Sequence, residues 1–122
     1  MKRILIIEDD RSLARIMEYY LIREGFLILK NFSGSEALES IKEGESADLI
    51  ILDLKLPDIN GLELMEMLKE YTDVPIIINS GYSQYKSDFN SWLADDYLIK
   101  KADLSELRDR IQAILDRAAN RF

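Results

Sequence analysis

The sequence predicts an α/β protein in which a parallel five-stranded sheet carries helices on both faces. Two observations indicate this class. Short apolar runs, typical of strands that are buried on both faces, recur five times along the 122 residues. Between and after these runs lie longer segments whose apolar residues repeat at helical spacing. Strict alternation of strand and helix favours a parallel sheet with right-handed crossovers, so we expect a doubly wound (βα)5 unit.

Composition is typical of one folded domain. The chain is 48% hydrophobic, and its 122 residues are too few for two ordinary domains. We therefore expect a single domain over residues 1–122 with no output domain. The net charge of −7 disfavours nucleic acid as a direct partner, because phosphate contacts need clustered Lys and Arg. Cysteine and histidine are absent, which excludes disulfides, thiolate metal sites and His-based catalysis on this chain.

The N-terminal stretch MKRILII is basic and then apolar, as a signal peptide is. Its apolar run ends at Glu8, whereas a signal peptide needs about 7–15 apolar residues. No other run approaches the roughly 20 residues of a membrane span. We therefore expect a cytoplasmic protein with no membrane partner.

The first two strand–helix units have recognisable end signals. Residues 4–7 form the first strand, Asp10 is a cap for the helix that follows, and Gly25 ends that helix. Residues 26–29 form the second strand, and an S-x-x-E capping box precedes the second helix. The capping box is Ser33 with Glu36, and the apolar stripes are Leu13, Ile16, Met17, Tyr20 and Leu21 in the first helix and Ala37, Leu38 and Ile41 in the second.

The third unit contains the most informative stretch, DLIILDLKLPDING at 48–61. Its four apolar residues, 49–52, predict a buried strand that ends at Asp53, which places a carboxylate at the strand's C-terminal end. Asp58 is interpreted as part of a turn, and Asn60 as the cap of the third helix. The stripe of that helix is Leu64, Met65, Leu68 and Tyr71.

The sequence pattern for a helix is weak in the fourth unit and clear in the fifth. The fourth strand, 76–78, leads to Ser80 and Gly81, and the fifth strand, 97–99, leads to Lys100. The helix between them contains several Ser and Asn residues, which are mediocre helix formers. Its stripe is Tyr85, Phe89, Trp92 and Leu93, and that of the last helix is Leu104, Leu107, Ile111, Ile114, Leu115 and Ala118.

Charged residues around the last helix are given local roles. Asp103 and Glu106 are predicted to cap it, and Glu106 with Arg110 is predicted as an i,i+4 ion pair. Asp95 and Asp96 come before the fifth strand and not after it, so they lie at the opposite end of the strands from acids such as Asp53. We interpret them as loop residues.

Polar side chains follow every predicted strand, and those after four of the strands are candidates for one site; Lys30 and Asn31, after the second strand, are not included. Glu8 and Asp9 follow the first, Asp53 the third, Ser80 the fourth and Lys100 the fifth. In the flavodoxin-like strand order 2-1-3-4-5, the first and third strands are neighbours, and ligands bind outside their carboxyl ends. Three carboxylates cannot all ionise side by side without compensation. A bound cation is the simplest compensation, and oxygen-only ligands make Mg²⁺ the leading candidate.

The same set of residues suits a phosphoryl group. A divalent ion, Lys100, the hydroxyl of Ser80 and the amide of Gly81 can all contact phosphoryl oxygens. Asp53 is then either a metal ligand only or also the nucleophile, because Asp carboxylates do accept phosphoryl groups.

Four segments resemble the receiver domain of two-component response regulators, in its stand-alone, chemotaxis-regulator-like form. They are ILIIEDD at 4–10, DLIILDLKLPDINGLEL at 48–64, PIIINSGY at 75–82 and DYLIKKADLSEL at 96–107. The resemblance implies a phosphoacceptor domain that is not an enzyme, although it assists its own phosphorylation and dephosphorylation. It implies that Asp53 accepts phosphate from a phosphohistidine on a sensor histidine kinase. The domain then either binds a downstream protein or passes the phosphate to a histidine phosphotransfer protein.

The resemblance also implies a role for each site residue. Asp9 and Asp53 bind Mg²⁺ directly, Glu8 binds it through water, and the backbone carbonyl of Lys55 is a further ligand. Lys100 and Ser80 hold phosphoryl oxygens, with Gly81 beside them. Ser80 and Tyr97 match the switch pair, in which the hydroxyl moves toward the phosphate and the ring turns inward. This movement reshapes the face formed by the fourth predicted helix, the fifth strand and the last helix.

Two features depart from the family pattern. Lys101 replaces the proline that usually follows the strand-5 lysine, often behind a cis bond. A non-proline cis bond costs about 2.5–4 kcal/mol, so we expect a trans bond or a locally altered loop here. Lys55 lies two residues after Asp53, and Tyr82 lies two residues after Ser80. In the family these two positions tune how easily water reaches the phosphoryl group, and a long cation and a bulky ring should hinder its attack. We therefore hypothesise slow loss of phosphate.

Two other functions remain open. The first is a receiver-like interaction module that is never phosphorylated, which the departure at Lys101 leaves open. The second is a Mg²⁺-dependent aspartyl phosphatase, which needs an Asp nucleophile with another Asp two residues later. Glu8 and Asp10 have that spacing, but the first is Glu, and the residue two after Asp53 is Lys55. The residue types therefore argue against the phosphatase.

Overall fold

The computed structural model describes residues 1–81, 94–101 and 103–120. Within these residues lie five strands and four helices. In chain order they are β1 (Arg3–Ile7), α1 (Arg11–Arg23), β2 (Leu27–Asn31), α2 (Gly34–Lys42), β3 (Leu49–Leu52), α3 (Gly61–Leu68), β4 (Ile76–Ser80), β5 (Asp96–Ile99) and α4 (Ser105–Ala119). The fourth predicted helix, with Tyr85, Phe89, Trp92 and Leu93, and the tuning position Tyr82 lie outside the described residues.

The five strands form one parallel sheet in the order β2-β1-β3-β4-β5. This confirms the predicted fold class and strand order. The register places Ile7 beside Leu52 and Ser80 beside Ile99. The carboxyl ends of β1, β3, β4 and β5 therefore reach the same edge of the sheet, which we call the carboxyl edge; the opposite edge is the amino edge.

The core has two layers, one on each face of the sheet. Ile4 and Ile6 of β1 pack in the layer of α1 and α4, whereas Leu5 and Ile7 pack in the layer of α2 and α3. All four residues of β3 are buried. Burial on both faces explains why the strands read as continuous apolar runs instead of alternating patterns.

The first helix ends as predicted, but the second strand begins one residue late. Gly25 adopts a φ of +98°, the left-handed conformation that glycine tolerates best. Its N–H donates to the Ile22 carbonyl (3.0 Å), and the Phe26 N–H donates to the Leu21 carbonyl (3.1 Å). This is a Schellman motif. Because Phe26 completes the motif, β2 begins at Leu27.

Two predicted stripe residues are exposed. Ile16 is 58% exposed and Tyr71 is 51% exposed, so neither belongs to the core. The buried face of α1 is the narrow line of Ala14, Met17 and Leu21. Ile16 is one residue, or about 100° of rotation, away from the centre of that line.

The predicted salt bridge of Glu106 with Arg110 does not form, although the pKa of Arg110 is raised by the hydrogen bond with Asp96 and also by the Glu106 charge. Arg110 Nη1 lies 2.8 Å from Asp96 Oδ2 across the gap to β5, and Glu106 lies 3.5 Å from Lys101 Nζ. Asp96 is only 19% exposed, so its carboxylate gains more from a partner than the surface acid Glu106 does. The predicted capping of α4 by Asp103 and Glu106 is also wrong, because the N-cap residue is Leu104, which makes no side-chain cap bond. Asp103, one residue earlier, accepts from the Ser105 N–H at 2.9 Å.

The helices in the described ranges are too short or too polar to span a bilayer.

Candidate functional site

An acidic crevice lies at the carboxyl edge of the sheet. Glu8 and Asp9 follow β1, and Asp53 follows the neighbouring β3. One carboxylate oxygen from each of these residues lies within 4.8 Å of the other two. Glu8 is 2% exposed and Asp53 is 4% exposed, whereas Asp9 faces solvent. The structure therefore brings together the three acids that the strand order predicted to meet.

The sheet itself holds these acids in place. The Asp53 N–H donates to the Ile7 carbonyl at 3.0 Å, which continues the β1–β3 ladder by one residue. The Glu8 N–H donates to the Asn31 carbonyl at 3.1 Å, which continues the β1–β2 ladder. Both backbones are thus fixed by the last hydrogen bonds of the sheet. Their side chains start from rigid positions, which is what a binding site requires.

Lys100 reaches across the crevice from β5. Its Nζ lies 2.7 Å from Glu8 Oε1 and 3.3 Å from Asp53 Oδ2. Its backbone N–H donates to the Ser80 carbonyl at 2.8 Å, which anchors the residue to β4. No cis peptide bond occurs within the described ranges, so the bond between Lys100 and Lys101 is trans, as expected without proline.

The charges in the crevice do not balance. Burial raises the pKa of the Glu8 carboxyl to about 7, and the nearby Asp53 charge adds to this effect. The hydrogen bonds that Glu8 accepts from Lys100 and from the Asp10 N–H oppose the shift without cancelling it. Burial alone would lower the pKa of Lys100, but the hydrogen bond to Glu8 and the charge of Asp53 raise it above its ordinary value. Among the residues that the structure describes, Lys100 is the one lysine in ion-pair contact with these acids, so their charge is only partly compensated.

Two of the remaining predicted site residues line the crevice, and two are buried in β4 and β5. Gly81 and Lys55 line the crevice together with the acids and Lys100. Ser80 is fully buried at the end of β4, and Tyr97 is buried in β5. Tyr97 pairs with Ile78, two residues before Ser80, so Tyr97 and Ser80 lie on the same face of neighbouring strands. Neither Ser80 nor Tyr97 lines the crevice.

Sequence reasoning missed the role of Asp58. Its Oδ1 accepts from the Gly34 N–H at 2.9 Å, and its Oδ2 accepts from the Ser35 N–H at 2.8 Å. These two bonds hold the pKa of the Asp58 carboxyl below its ordinary value, because they favour the charged form. The partners are 23 and 24 residues away in sequence, so no local motif could have indicated them.

A doubly wound α/β domain with an acidic crevice at its topological switch point is the class of protein that this fold and site define. Comparison with known proteins then gives the family. The model of the response regulator receiver domain matches residues 4–112. The chain belongs to the response regulator receiver domain family.

Individual relatives agree with this assignment. The chain is 40% identical over 119 residues to the response regulator ArlR of Staphylococcus aureus, covering 96% of this chain and 54% of that protein. It is 33% identical over 119 residues to an uncharacterized transcriptional regulatory protein, YcbL, of Bacillus subtilis, covering 93% and 51%. The chain thus spans about half the length of the curated relatives it matches.

Solved structures show the same fold. The response regulator TrrA of Thermotoga maritima, in complex with Mg²⁺ and BeF, is 37% identical with a TM-score of 0.85, covering 93% of this chain and 99% of that one. TrrA in complex with the histidine kinase ThkA is 36% identical with a TM-score of 0.85, covering 94% and 99%. A CheY-like receiver domain of Methanospirillum hungatei is 32% identical with a TM-score of 0.88, covering 96% and 95%.

Proposed function

We propose that this receiver domain is a phosphorylation-controlled switch in which Asp53 accepts a phosphoryl group from a phosphohistidine of a sensor histidine kinase. One observation carries the proposal. The buried carboxylate of Asp53 lies at the end of β3 with Lys100 Nζ at 3.3 Å and with oxygens of Glu8 and Asp9 within 4.8 Å. The similarity to TrrA, which has been solved with a histidine kinase, supports the choice of donor.

The proposed reaction moves one group between two residues. A carboxylate oxygen of Asp53 forms a bond to phosphorus while the bond from phosphorus to the imidazole nitrogen of the donor breaks. The electron pair of the broken bond stays on that nitrogen, and the product is an aspartyl phosphate. Lys100 already contacts the Asp53 carboxylate, so its ammonium is placed to shift toward the phosphoryl oxygens as they arrive. Ser80 and Gly81 supply a hydroxyl and an amide for the same oxygens.

The residues of the crevice also fit Mg²⁺. The donor atoms are all oxygens, and one ammonium leaves their negative charge only partly compensated. Hard divalent cations prefer such ligands. Asp9 and Asp53 would bind the ion directly, Glu8 through water, and the Lys55 carbonyl would complete the protein ligands. When bound, the ion offsets the negative charge that gathers between the carboxylates and the incoming phosphoryl group.

The output of the switch would be a change of surface. Ser80 and Tyr97 lie on one face of adjacent strands, so a movement of the Ser80 hydroxyl toward phosphate opens space on the side of Tyr97. We propose that the buried ring of Tyr97 belongs to the conformation that phosphate favours. The reshaped face, which includes β5 and α4, would then bind a downstream protein. Transfer to a histidine phosphotransfer protein is the other outcome.

Phosphoryl uptake can be measured directly. The protein is incubated with acetyl phosphate and MgCl₂, and its intact mass is recorded beside that of Asp53→Asn. We expect one added phosphoryl group on the wild type, and none on Asp53→Asn or in the presence of a chelator. Asp116→Asn, which changes an exposed Asp on α4 in the same way, should behave as the wild type.

Two results would contradict the proposal. Uptake by Asp53→Asn equal to that of the wild type would assign the phosphate to another residue. A wild type that gains no phosphoryl group, although calorimetry shows that it binds Mg²⁺, would favour the receiver-like interaction module that is not phosphorylated.

A further inference from the structure

We propose that Asp58 is a positioning residue for the acidic crevice. Its carboxylate ties the loop between β3 and α3 to the amino end of α2, and this tie fixes the backbone of Lys55 beside Asp53. The inference rests on the proposed function, because it assigns Asp58 a role in Mg²⁺ binding and phosphoryl uptake at that site.

The tie uses both oxygens of the carboxylate. The N–H groups of Gly34 and Ser35 are in the first turn of α2 and have no acceptor within the helix. Asp58 accepts one bond from each, at 2.9 and 2.8 Å. The next N–H, that of Glu36, donates to Ser33 Oγ at 3.2 Å. The local cap thus satisfies one donor, and a residue from a distant loop satisfies two.

The loop and the helix are also in direct contact. A Cβ added at Gly34 would overlap Cγ2 of Ile59 and would lie 3.3 Å from Asp58 Oδ1. Gly34 has no positive φ, so its backbone conformation does not require glycine. The requirement is space, because only a residue without a side chain lets the loop approach α2 this closely.

The other end of the same loop is at the phosphoacceptor. The Gly61 N–H donates to the Leu54 carbonyl at 2.9 Å, and a Cβ at Gly61 would lie 2.6 Å from the Asp53 carbonyl oxygen. Lys55 and Asn60 form a bridge that closes the loop above this point. The Lys55 N–H lies 3.4 Å from Asp53 Oδ1.

These contacts make the loop a short closed unit with two attachments. Its base is packed against Asp53, and its tip is held by Asp58. A closed loop of this length transmits a displacement of its tip to its base, because few of its dihedral angles are free to absorb the change. Loss of the Asp58 bonds should therefore loosen the Lys55 backbone, including the carbonyl that we propose as a metal ligand. Residues that orient metal ligands typically change metal affinity by about 10- to 100-fold when they are lost.

The chain offers a matched control. Asp58→Ala removes two hydrogen bonds from the amino end of α2 and releases the loop. Ser33→Ala removes a hydrogen bond from the same turn of the same helix without touching the loop. Both should lower Tm. Only a positioning role predicts that they differ in Mg²⁺ binding at a temperature well below both unfolding transitions.

The experiment measures three quantities for each variant: the Kd for Mg²⁺ by calorimetry, the initial rate of phosphoryl uptake from acetyl phosphate, and Tm. For Asp58→Ala we expect about a tenfold weaker Kd and a correspondingly slower uptake at fixed Mg²⁺. Ser33→Ala should keep the wild-type Kd and rate. Asp58→Asn should be intermediate, because its amide oxygen can accept only part of the bonding that the carboxylate accepts.

Gly34→Ala is an independent test, because its methyl group would push the loop away while Asp58 remains. A weaker Kd for this variant, in a protein that still unfolds cooperatively, is the expected result. Wild-type Kd and uptake in Asp58→Ala would overturn the inference and reduce Asp58 to a helix cap. If the wild type itself takes up no phosphoryl group, the proposed function fails and this inference with it. If the wild type and Asp58→Ala take up phosphoryl groups at the same rate, this inference fails and the proposed function stands.

Discussion

The two edges of the sheet use acidic residues in opposite ways. At the amino edge, Asp48 Oδ2 accepts from the Arg3 N–H at 2.8 Å, and Asp95 Oδ2 accepts from the Ile76 N–H at 2.9 Å. Each carboxylate there satisfies the backbone at the start of a strand. At the carboxyl edge, the carboxylates of Glu8 and Asp53 face each other and share one lysine.

The difference follows from the direction of the strands. At the amino edge of a parallel sheet, backbone N–H groups at the strand starts lack partners, and a carboxylate is a strong acceptor for them. At the carboxyl edge the backbone offers few such donors. The N–H groups that reach the crevice acids, from Asp10 and Lys55, do so at 3.2 and 3.4 Å. The negative charge at this edge therefore stays available for a ligand, whereas at the amino edge it stabilises the fold.

The sharpest test of this contrast is the effect of Glu8→Gln without Mg²⁺. The pKa of Glu8 rises from 4.5 to about 7 on folding, mainly through burial. The stability that a raised pKa contributes is present below pH 4.5 and is lost as the pH rises through 7. Gln does not titrate, so at pH 8 the variant should be more stable than the wild type by up to about 3 kcal/mol. Urea unfolding at pH 5 and pH 8 in the presence of a chelator measures the difference.

Glu70→Gln, at an exposed position, is the control and should show no such pH dependence. Added MgCl₂ should stabilise the wild type more than Glu8→Gln. If Glu8→Gln were less stable than the wild type at pH 8, the ion pair with Lys100 would outweigh the burial of the charge. Acidic residues would then stabilise the fold at the carboxyl edge as they do at the amino edge.

Much of the fold could be predicted from the sequence because the signals are local. Gly25 is recognisable as a helix terminator because glycine, which has no Cβ, tolerates the left-handed φ that this position adopts. The end of β3 can be predicted because its run of four apolar residues gives way to a charged residue, Asp53. The meeting of Glu8 with Asp53 followed from strand order, which the alternation of strands and helices favoured.

Other contacts could not be predicted because the partners are distant in sequence. Arg110 has an acid at helical spacing, yet it pairs with Asp96 of β5. Asp58 reads as a turn residue, yet both its oxygens are bonded to α2. In each case a local rule gave a plausible role, and tertiary structure supplied a better partner. The placement of Asp95 before β5 was predicted, but its bond to the Ile76 N–H was not.

A smaller effect of the opposite sign is expected at the amino edge. Asp95→Ala would leave the N–H of Ile76, a fully buried residue, without its acceptor. An unsatisfied buried donor costs free energy, so we expect a loss of about 1–2 kcal/mol in the free energy of unfolding. Phosphoryl uptake from acetyl phosphate should not change, because Asp95 lies at the far end of the strands. Urea unfolding and intact mass measure the two quantities.

Asp95→Asn separates the two parts of this argument, since its amide oxygen can still accept from Ile76. It should recover most of the lost stability. Reduced phosphoryl uptake in either variant, at a temperature where both are folded, would mean that the amino edge also contributes to the site.

The smallest effect is expected for the exposed ion pair beside this edge. Arg110 is 50% exposed in its side chain, and pairs of this kind contribute about 0.2–1 kcal/mol, which salt reduces further. Arg110→Gln should therefore destabilise the protein by about 0.5 kcal/mol at low salt and by less at 1 M NaCl. Glu106→Gln, which removes the acid at helical spacing from Arg110, is the control. If the pair with Asp96 is the main one, Glu106→Gln changes stability by nearly the same amount in the wild type and in Arg110→Gln, since Glu106 acts on Arg110 only through its charge. Strong coupling between positions 106 and 110 in this double-mutant cycle would contradict this. It would show that Arg110 pairs mainly with Glu106, at helical spacing, and not with Asp96.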